Sequence, residues 1–192
     1  GMGGRAFESL AAQGRFACVM DFSLQELVNQ LAGSVVSAGP DRLLGAARAG
    51  VPMIVAPGAT DMVDYPAWGH KPARFADLPS HDHNRLIASV VIDADMRREV
   101  AREIAARLRQ AKGAVHLALP LLGIEEWDRP GAPLHDPQGL AAFQTEMLAA
   151  DCGQASVQAL DTHINDAAFA QHVLKVFDDW LARGLIARSA HA

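Results

Sequence analysis

SAGPDRLLGAARAGVPMIVAPGATDMVDY, residues 37–65, carries a glycine-proline turn, a short helix, a buried strand and a second glycine-bearing turn in one stretch. Ser37-Ala38-Gly39-Pro40-Asp41 reads as a helix start whose small residues leave backbone N–H groups reachable from outside. Gly50 is the matching helix stop. Met53-Ile54-Val55-Ala56 is an unbroken apolar run, the pattern of a strand covered on both faces. Pro57-Gly58-Ala59-Thr60-Asp61 then leaves that strand. In open α/β sheets ligands bind outside the carboxyl ends of the strands, so this turn is a candidate small-molecule site.

The alternation continues in both directions. Residues 4–13 suit a helix, and Phe16–Met20 a strand. Ser23 with Glu26 three residues later forms a capping box that opens a helix to about Ala32. Val35-Val36 is at best a short strand. A helix at about 41–49 and a strand at 52–56 follow, then a long irregular loop over 57–84, rich in Pro, Gly, Asp and His. Beyond it come a strand at 86–92, a helix at 95–111 with Asp93 near its start, and a strand at 114–119. A second long loop, 120–136, leads to a helix opened by Asp136-Pro137. A strand at 156–160 and an amphipathic helix at 166–183 complete the pattern. Strands separated by helices imply βαβ units. The expected fold is an α/β three-layer, Rossmann-like domain over residues 1–192 with a mainly parallel sheet. The two long loops exceed what compact domains usually carry, and so are candidate functional or interface segments.

Composition bounds the function. Half of the 192 residues are hydrophobic, a fifth are charged, and the net charge is -5 with no basic run, which argues against a nucleic-acid backbone as partner. No apolar run is long enough to span a bilayer, so neither a membrane nor a membrane partner is expected, and cytoplasm is the default location. Cys18 and Cys152 lack metal-type spacing. Gly1 before Met2 has the look of a tag remnant. There is no G-x-S-x-G elbow, phosphate-loop lysine motif or G-x-G-x-x-G.

The candidate site residues are polar groups at turns. Ser37, Gly39, Asp41 and Arg42 form an anion site at a helix start, or else a plain capped helix with Arg42 in solvent. Gly58 and Asp61 lie at a strand exit, where Asp61 positions a hydroxyl or acts as a base, unless it is a simple turn aspartate. His81, His83 and Asn84 form the sharpest cluster. In an extended chain residues 81 and 83 point to one side, and His163, flanked by Asp161 and Asn165, is a partner if it converges with them. The histidine spacing is not a zinc signature, and no metal is expected there. His83, Asp61 and His163 are the catalytic candidates; the others are ligand-binding candidates. Glu125-Glu126-Trp127-Asp128 form either a lid carrying a carboxylate or an acidic solvent-facing loop anchored by Trp127.

Six motifs in order carry a resemblance: GGRAFESL at 3–10, SAGPDRL at 37–43, GATDMV at 58–63, HDHN at 81–84, LPLLGIEEWDRPGAPLHDP at 119–137 and DTHIND at 161–166. Together they resemble the carboxy-terminal half of a bacterial and plant family known for the ATP-binding region of the tomato mosaic virus resistance protein. The resemblance covers nearly the whole chain. It implies two Rossmann-like domains in tandem, of which this chain is the second, with ATP as the implied cofactor and nucleotide binding associated largely with the first domain. Two functions are then expected. One is the ligand-binding half of a nucleotide- or phosphometabolite-dependent enzyme, taking a phosphorylated or carboxylate small molecule. The alternative is a non-catalytic regulatory or protein-interaction domain. The missing first domain or a second copy of the chain is the expected partner. Phe7, Leu10, Phe169, Val173, Phe177 and Trp180 on the terminal helices offer apolar surface for a homo-oligomer.

Overall fold

The computed structural model describes residues 2–187; Gly1 lies outside them. The described residues hold seven strands and six α-helices, which alternate except at α2–α3 and β2–β5. The strands are β1 Val19–Ser23, β2 Met53–Gly58, β3 Met62–Pro66, β4 Ser80–Asp82, β5 Ile87–Val91, β6 Val115–Pro120 and β7 Ser156–Leu160. The helices are α1 Met2–Ala12, α2 Gln25–Leu31, α3 Leu44–Ala49, α4 Ala94–Leu108, α5 Pro137–Ala149 and α6 Ala167–Ala182.

Four strands form an all-parallel sheet in the order β1-β2-β6-β7. Its central strands, MIVAPG and VHLALP, are buried along their whole length, as near-continuous apolar runs require. One face packs Met53, Val55, Leu117 and Leu119 against helix residues such as Leu27, Val100, Ile104 and Phe143. The other packs Ile54, Ala56 and Ala118 against α6 through Phe169, Val173 and Trp180. Helices on both faces of a parallel sheet make the three-layer, Rossmann-like arrangement expected from the alternation. Of the terminal apolar side chains, Phe169, Val173 and Trp180 are buried on the chain's own sheet, and Phe177 packs against the same cluster. Phe7 stacks on Phe16 at 5.6 Å, while Leu10 is exposed.

The segment expected to be an irregular loop followed by a strand of the main sheet is built differently. β3, β5 and β4 form a separate antiparallel sheet, in the order β3-β5-β4. β5 is its central strand and is buried from Ala88 onward, which gives it the same apolar signature as a parallel strand. This small sheet is tied to α2 through Asp64. The Asp64 carboxylate accepts from Gln25, Asn29 and Ser89, and its backbone N–H donates to Asn29.

The helix starts follow the sequence at two places. Asp93 caps α4 by accepting from Met96 N at 2.8 Å, and Asp136 caps α5 by accepting from Gly139 N at 2.9 Å with Pro137 behind it. The expected Ser23–Glu26 capping box is absent. β1 runs on to Ser23, α2 starts after Leu24 without a side-chain cap, and Glu26 turns to Arg42. No strand forms at Val35-Val36.

Candidate functional site

The carboxyl ends of β1, β2, β6 and β7 open into a crevice of about 940 Å³. Phe22, Phe169 and Val173 supply apolar wall, and Asp21, Glu26 and Glu125 supply carboxylates. Gly58 closes the floor at the end of β2. A Cβ there would sit 2.0 Å from the Phe22 carbonyl oxygen, so only glycine lets the β1 and β2 exits meet.

Behind the crevice, the exits of β2 and β6 bring three carboxylates together, and the exit of β7 supports them. The turn after β2 is closed by Thr60, whose Oγ1 donates to Pro57 O at 2.8 Å, and it delivers Asp61. The loops after β6 and β7 are zipped by backbone bonds, Leu122 N to Thr162 O and Ile164 N to Gly123 O, both 3.0 Å. That zipper folds Glu125 and Asp128 inward. Asp61, Glu125 and Asp128 are all buried, and one oxygen from each lies within 4.8 Å of the other two. Both Asp61 oxygens and Oε1 of Glu125 have no hydrogen-bond partner. Burial pushes the Asp61 carboxyl up to about 6; the nearby Arg97 opposes this and the Asp128 charge adds to it. Burial pushes Glu125 further, to about 8, with Asp61 and Asp128 adding like charge.

His163 holds this cluster together and is itself fully occupied. The Asn165 backbone N–H donates to His163 Nδ1 at 3.0 Å, so the ring proton sits on Nε2. Nε2 donates to Asp128 Oδ1 and to the Glu125 carbonyl oxygen, both at 2.9 Å. Asp128 Oδ2 accepts from Ile124 N at 2.5 Å. Gly123, at φ 140°, makes room for the pair: a Cβ there would lie 2.4 Å from Asp128 Oδ1 and from the His163 ring.

The residues expected to bind an anion are arranged around the chain's own carboxylates. The Glu8 carboxylate accepts from Leu43 N at 2.6 Å and Gly45 N at 2.9 Å, filling the position at the start of α3. Arg42 is buried, not in solvent. It is bidentate on Asp21, bonds Glu8 at 3.0 Å and the Ser23 carbonyl oxygen at 2.9 Å, and pairs with Glu26 at 3.3 Å. Burial works against its charge, but Asp21 and Glu8 outweigh it and hold the guanidinium above its usual range. Ser37 donates to Gln30 Oε1 at 2.5 Å and accepts from Gly39 N at 2.9 Å. Gly39 and the exposed Asp41 face a second cavity of about 700 Å³, together with Arg5 and Arg48.

The remaining sequence candidates divide. His81 and His83 flank Trp127, with ring centroids 4.3 and 5.3 Å away, so the small sheet does fold back onto the loop that carries Glu125 and Asp128. Asn84 shapes the β4–β5 hairpin, its Oδ1 accepting from Leu86 N and Ile87 N. Asp161 is exposed. Asn165 lines the crevice and donates to Glu126 Oε2 at 2.9 Å. Gly58, Arg42 and Asn165 therefore share the large crevice, and Asp61 and His163 share the buried cluster behind it. Glu8 and Asp21 were not singled out from the sequence, and Asp128 only as one of the four residues of the acidic loop 125–128. The one local signal of Glu8 and Asp21 is a charged residue beside apolar neighbours, as in VMDFS.

The chain belongs to the Uncharacterised protein family (UPF0261) C-terminal domain, whose profile matches residues 1–181. It is 51% identical over 188 residues to a UPF0261 protein of Brucella melitensis, covering 98% of this chain and 45% of that protein. A UPF0261 protein of Brucella suis is 50% identical over the same length and the same shares. The ToMV resistance protein Tm-1(GCR237) of Solanum lycopersicum is 29% identical over 179 residues, 92% of this chain and 24% of that protein. The chain thus spans less than half the length of these relatives. No helix among the described residues is long and apolar enough to cross a membrane.

Proposed function

We propose that this member of the UPF0261 C-terminal domain family is the ligand-binding half of an enzyme acting on a nucleotide or another phosphorylated metabolite. The observation that carries the reading is the crevice of about 940 Å³ at the carboxyl ends of four parallel strands, where an apolar wall faces carboxylates. That volume is at the upper end of the range for small-molecule pockets, about 300–1,000 Å³, and suits a ligand of nucleoside size. The position is the one where doubly wound α/β folds bind ligands.

On this reading the flat, apolar part of the ligand lies against Phe22, Phe169 and Val173, and hydroxyl groups meet Asp21, Glu26 and Glu125. Asp61 and Glu125 supply the reactive carboxyls, since their free oxygens have no other partner. His163 acts as a positioning residue through Asp128, because both of its ring nitrogens are already engaged. His83 packs edge-on to Trp127 beside His81, outside the lining of the crevice.

Calorimetry with ATP, ADP, nucleosides and sugar phosphates tests the reading. Ala170 is exposed and lines the crevice, so Ala170→Trp fills the space without disturbing the core. Binding by at least one of these compounds, weakened tenfold or more by Ala170→Trp, is the expected result. Binding by none of them, or binding indifferent to Ala170→Trp, would overturn the assignment. Binding without turnover in the full-length protein would favour a regulatory domain.

A further inference from the structure

We propose that Asp61, Glu125 and Asp128 form a binding site for a hard divalent cation, of the magnesium, manganese or calcium class. Two independent observations support it. The first is convergence: residues from the exits of β2 and β6, some sixty positions apart in sequence, place one carboxylate oxygen each within 4.8 Å of the other two. Oxygen ligands lie about 2.0–2.6 Å from such cations, so two of them on one ion are at most about 5 Å apart. The second is that three carboxylate oxygens of the cluster lack donors, although Asp128 has them. Asp61 is 1% exposed and neither of its oxygens has a hydrogen-bond partner; Oε1 of Glu125 is in the same position. A buried carboxylate is normally satisfied by hydrogen bonds, an ion pair or a metal.

The protein cations nearby do not complete the cluster. Arg97 acts on Asp61 through its charge, but its hydrogen bonds go to the Ile92 carbonyl oxygen at 3.2 Å and to Asp136 at 3.0 Å. His163 reaches only Asp128 and the Glu125 backbone carbonyl, not the oxygens of Asp61 or Oε1 of Glu125.

The surroundings have the form of a metal site. Asp128 is oriented by His163 and by the Ile124 N–H, the kind of outer support that fixes a ligating carboxylate. The oxygen-only ligand set selects hard cations over zinc or copper. Access is available from two sides, because Glu125 also borders the large crevice and Asp128 a smaller cavity of about 360 Å³. Three protein ligands leave positions for water or for an oxygen of a ligand in the crevice. The site lies behind the crevice and stands whether or not that crevice takes a nucleotide.

The test uses Mn²⁺ alone, with no nucleotide present, so its failure and that of the crevice reading are distinguishable. Protein dialysed against chelator is titrated with Mn²⁺ and free ion is followed by electron paramagnetic resonance. One Mn²⁺ per chain is expected, competed by Mg²⁺ or Ca²⁺, with affinity falling tenfold or more in both Asp61→Asn and Glu125→Gln. These substitutions keep the shape of the side chains, and if Asp61→Asn fails to fold, Glu125→Gln decides. No Mn²⁺ binding at millimolar concentration, or binding unchanged in the folded variants, would overturn the proposal.

Discussion

Replacing Arg42 with methionine should cost the protein a large part of its stability, because the guanidinium neutralises a buried group of acids. The Arg42, Asp21 and Glu8 side chains are 5%, 8% and 8% exposed. Arg42→Met removes both donors to Asp21 and one of the three donors to Glu8, which keeps the Leu43 and Gly45 backbone N–H groups. Removing one partner of a buried ion pair costs about 3–5 kcal/mol, and here most of the loss falls on Asp21. Asp21→Asn is expected to be milder, about 1–3 kcal/mol, since Arg42 keeps Glu8 at 3.0 Å and Glu26 at 3.3 Å. Urea unfolding followed by circular dichroism, with the slope unchanged, reads both numbers. The Arg42→Met deficit should also shrink toward pH 4. An Asp21 carboxyl buried without a partner holds its proton more tightly folded than unfolded, so the variant loses stability as pH rises. A deficit below about 1 kcal/mol, or one constant from pH 4 to pH 7, would refute the reasoning and make Arg42 available to a ligand instead.

Gly123→Ala combines a backbone angle of φ 140° with a contact at 2.4 Å to Asp128 and His163. It should cost more than about 2 kcal/mol and lower the melting temperature by roughly 5 °C or more; a Tm within 1–2 °C of the parent would disprove the strain. His116 predicts an acid-side loss of stability. It is 4% exposed beside His172, its Nε2 2.9 Å from that of His172, and burial followed by the His172 charge lowers its pKa from 6.5 to about 4. Between those values the unfolded chain binds a proton that the folded chain does not, so stability rises with pH across the window, by up to about 3 kcal/mol. His116→Leu should flatten that part of the stability–pH curve, and parallel curves for parent and variant would contradict the assignment.

The parallel sheet was legible because its evidence is local. Mainly apolar runs at 53–56 and 115–119 and the mixed segment SVQAL at 156–160 alternate with helical periods, and Asp93 and Asp136 cap the helices from within three residues. The small antiparallel sheet was not. β4 is three polar residues, Ser-His-Asp, and β3 meets β5 only after β4 has passed. No periodicity within 57–84 reports that pairing. The capping box at Ser23–Glu26 satisfied the local rule and lost to a tertiary one, because Glu26 finds a buried guanidinium sixteen positions along the chain. The candidate site shows the same division. Asp61 is visible as a polar group at a strand exit. Glu125 and Asp128 sit in a run, EEWD, that reads equally well as a solvated acidic loop. What buries them is the zipper between 122–123 and 162–164, a contact between two loops that sequence spacing does not encode.

The charge inventory constrains how any phosphorylated ligand uses this chain. Asp21, Glu26 and Glu126 line the crevice with negative charge against one guanidinium, Arg42, which is already matched by Asp21 and Glu8; Glu125, pushed up to about 8, adds a carboxyl that is neutral near pH 7 until a cation binds. Arg97 is bonded to Asp136, and Arg129 pairs with Asp166 at 3.3 Å. The start of α3, a place that favours an anion, holds Glu8. An uncompensated phosphate in the crevice would therefore meet like charge at short range, in surroundings where apolar walls strengthen the repulsion. The proposed reading satisfies this constraint in two ways. The phosphate stays outward while the hydroxyl-bearing, apolar part of the ligand enters, or a divalent cation at Asp61, Glu125 and Asp128 brings the positive charge that the side chains do not supply. The cation proposal and the crevice proposal rest on separate observations. Electrostatics is what would couple them, because one dication offsets two carboxylate charges and leaves open positions toward the crevice.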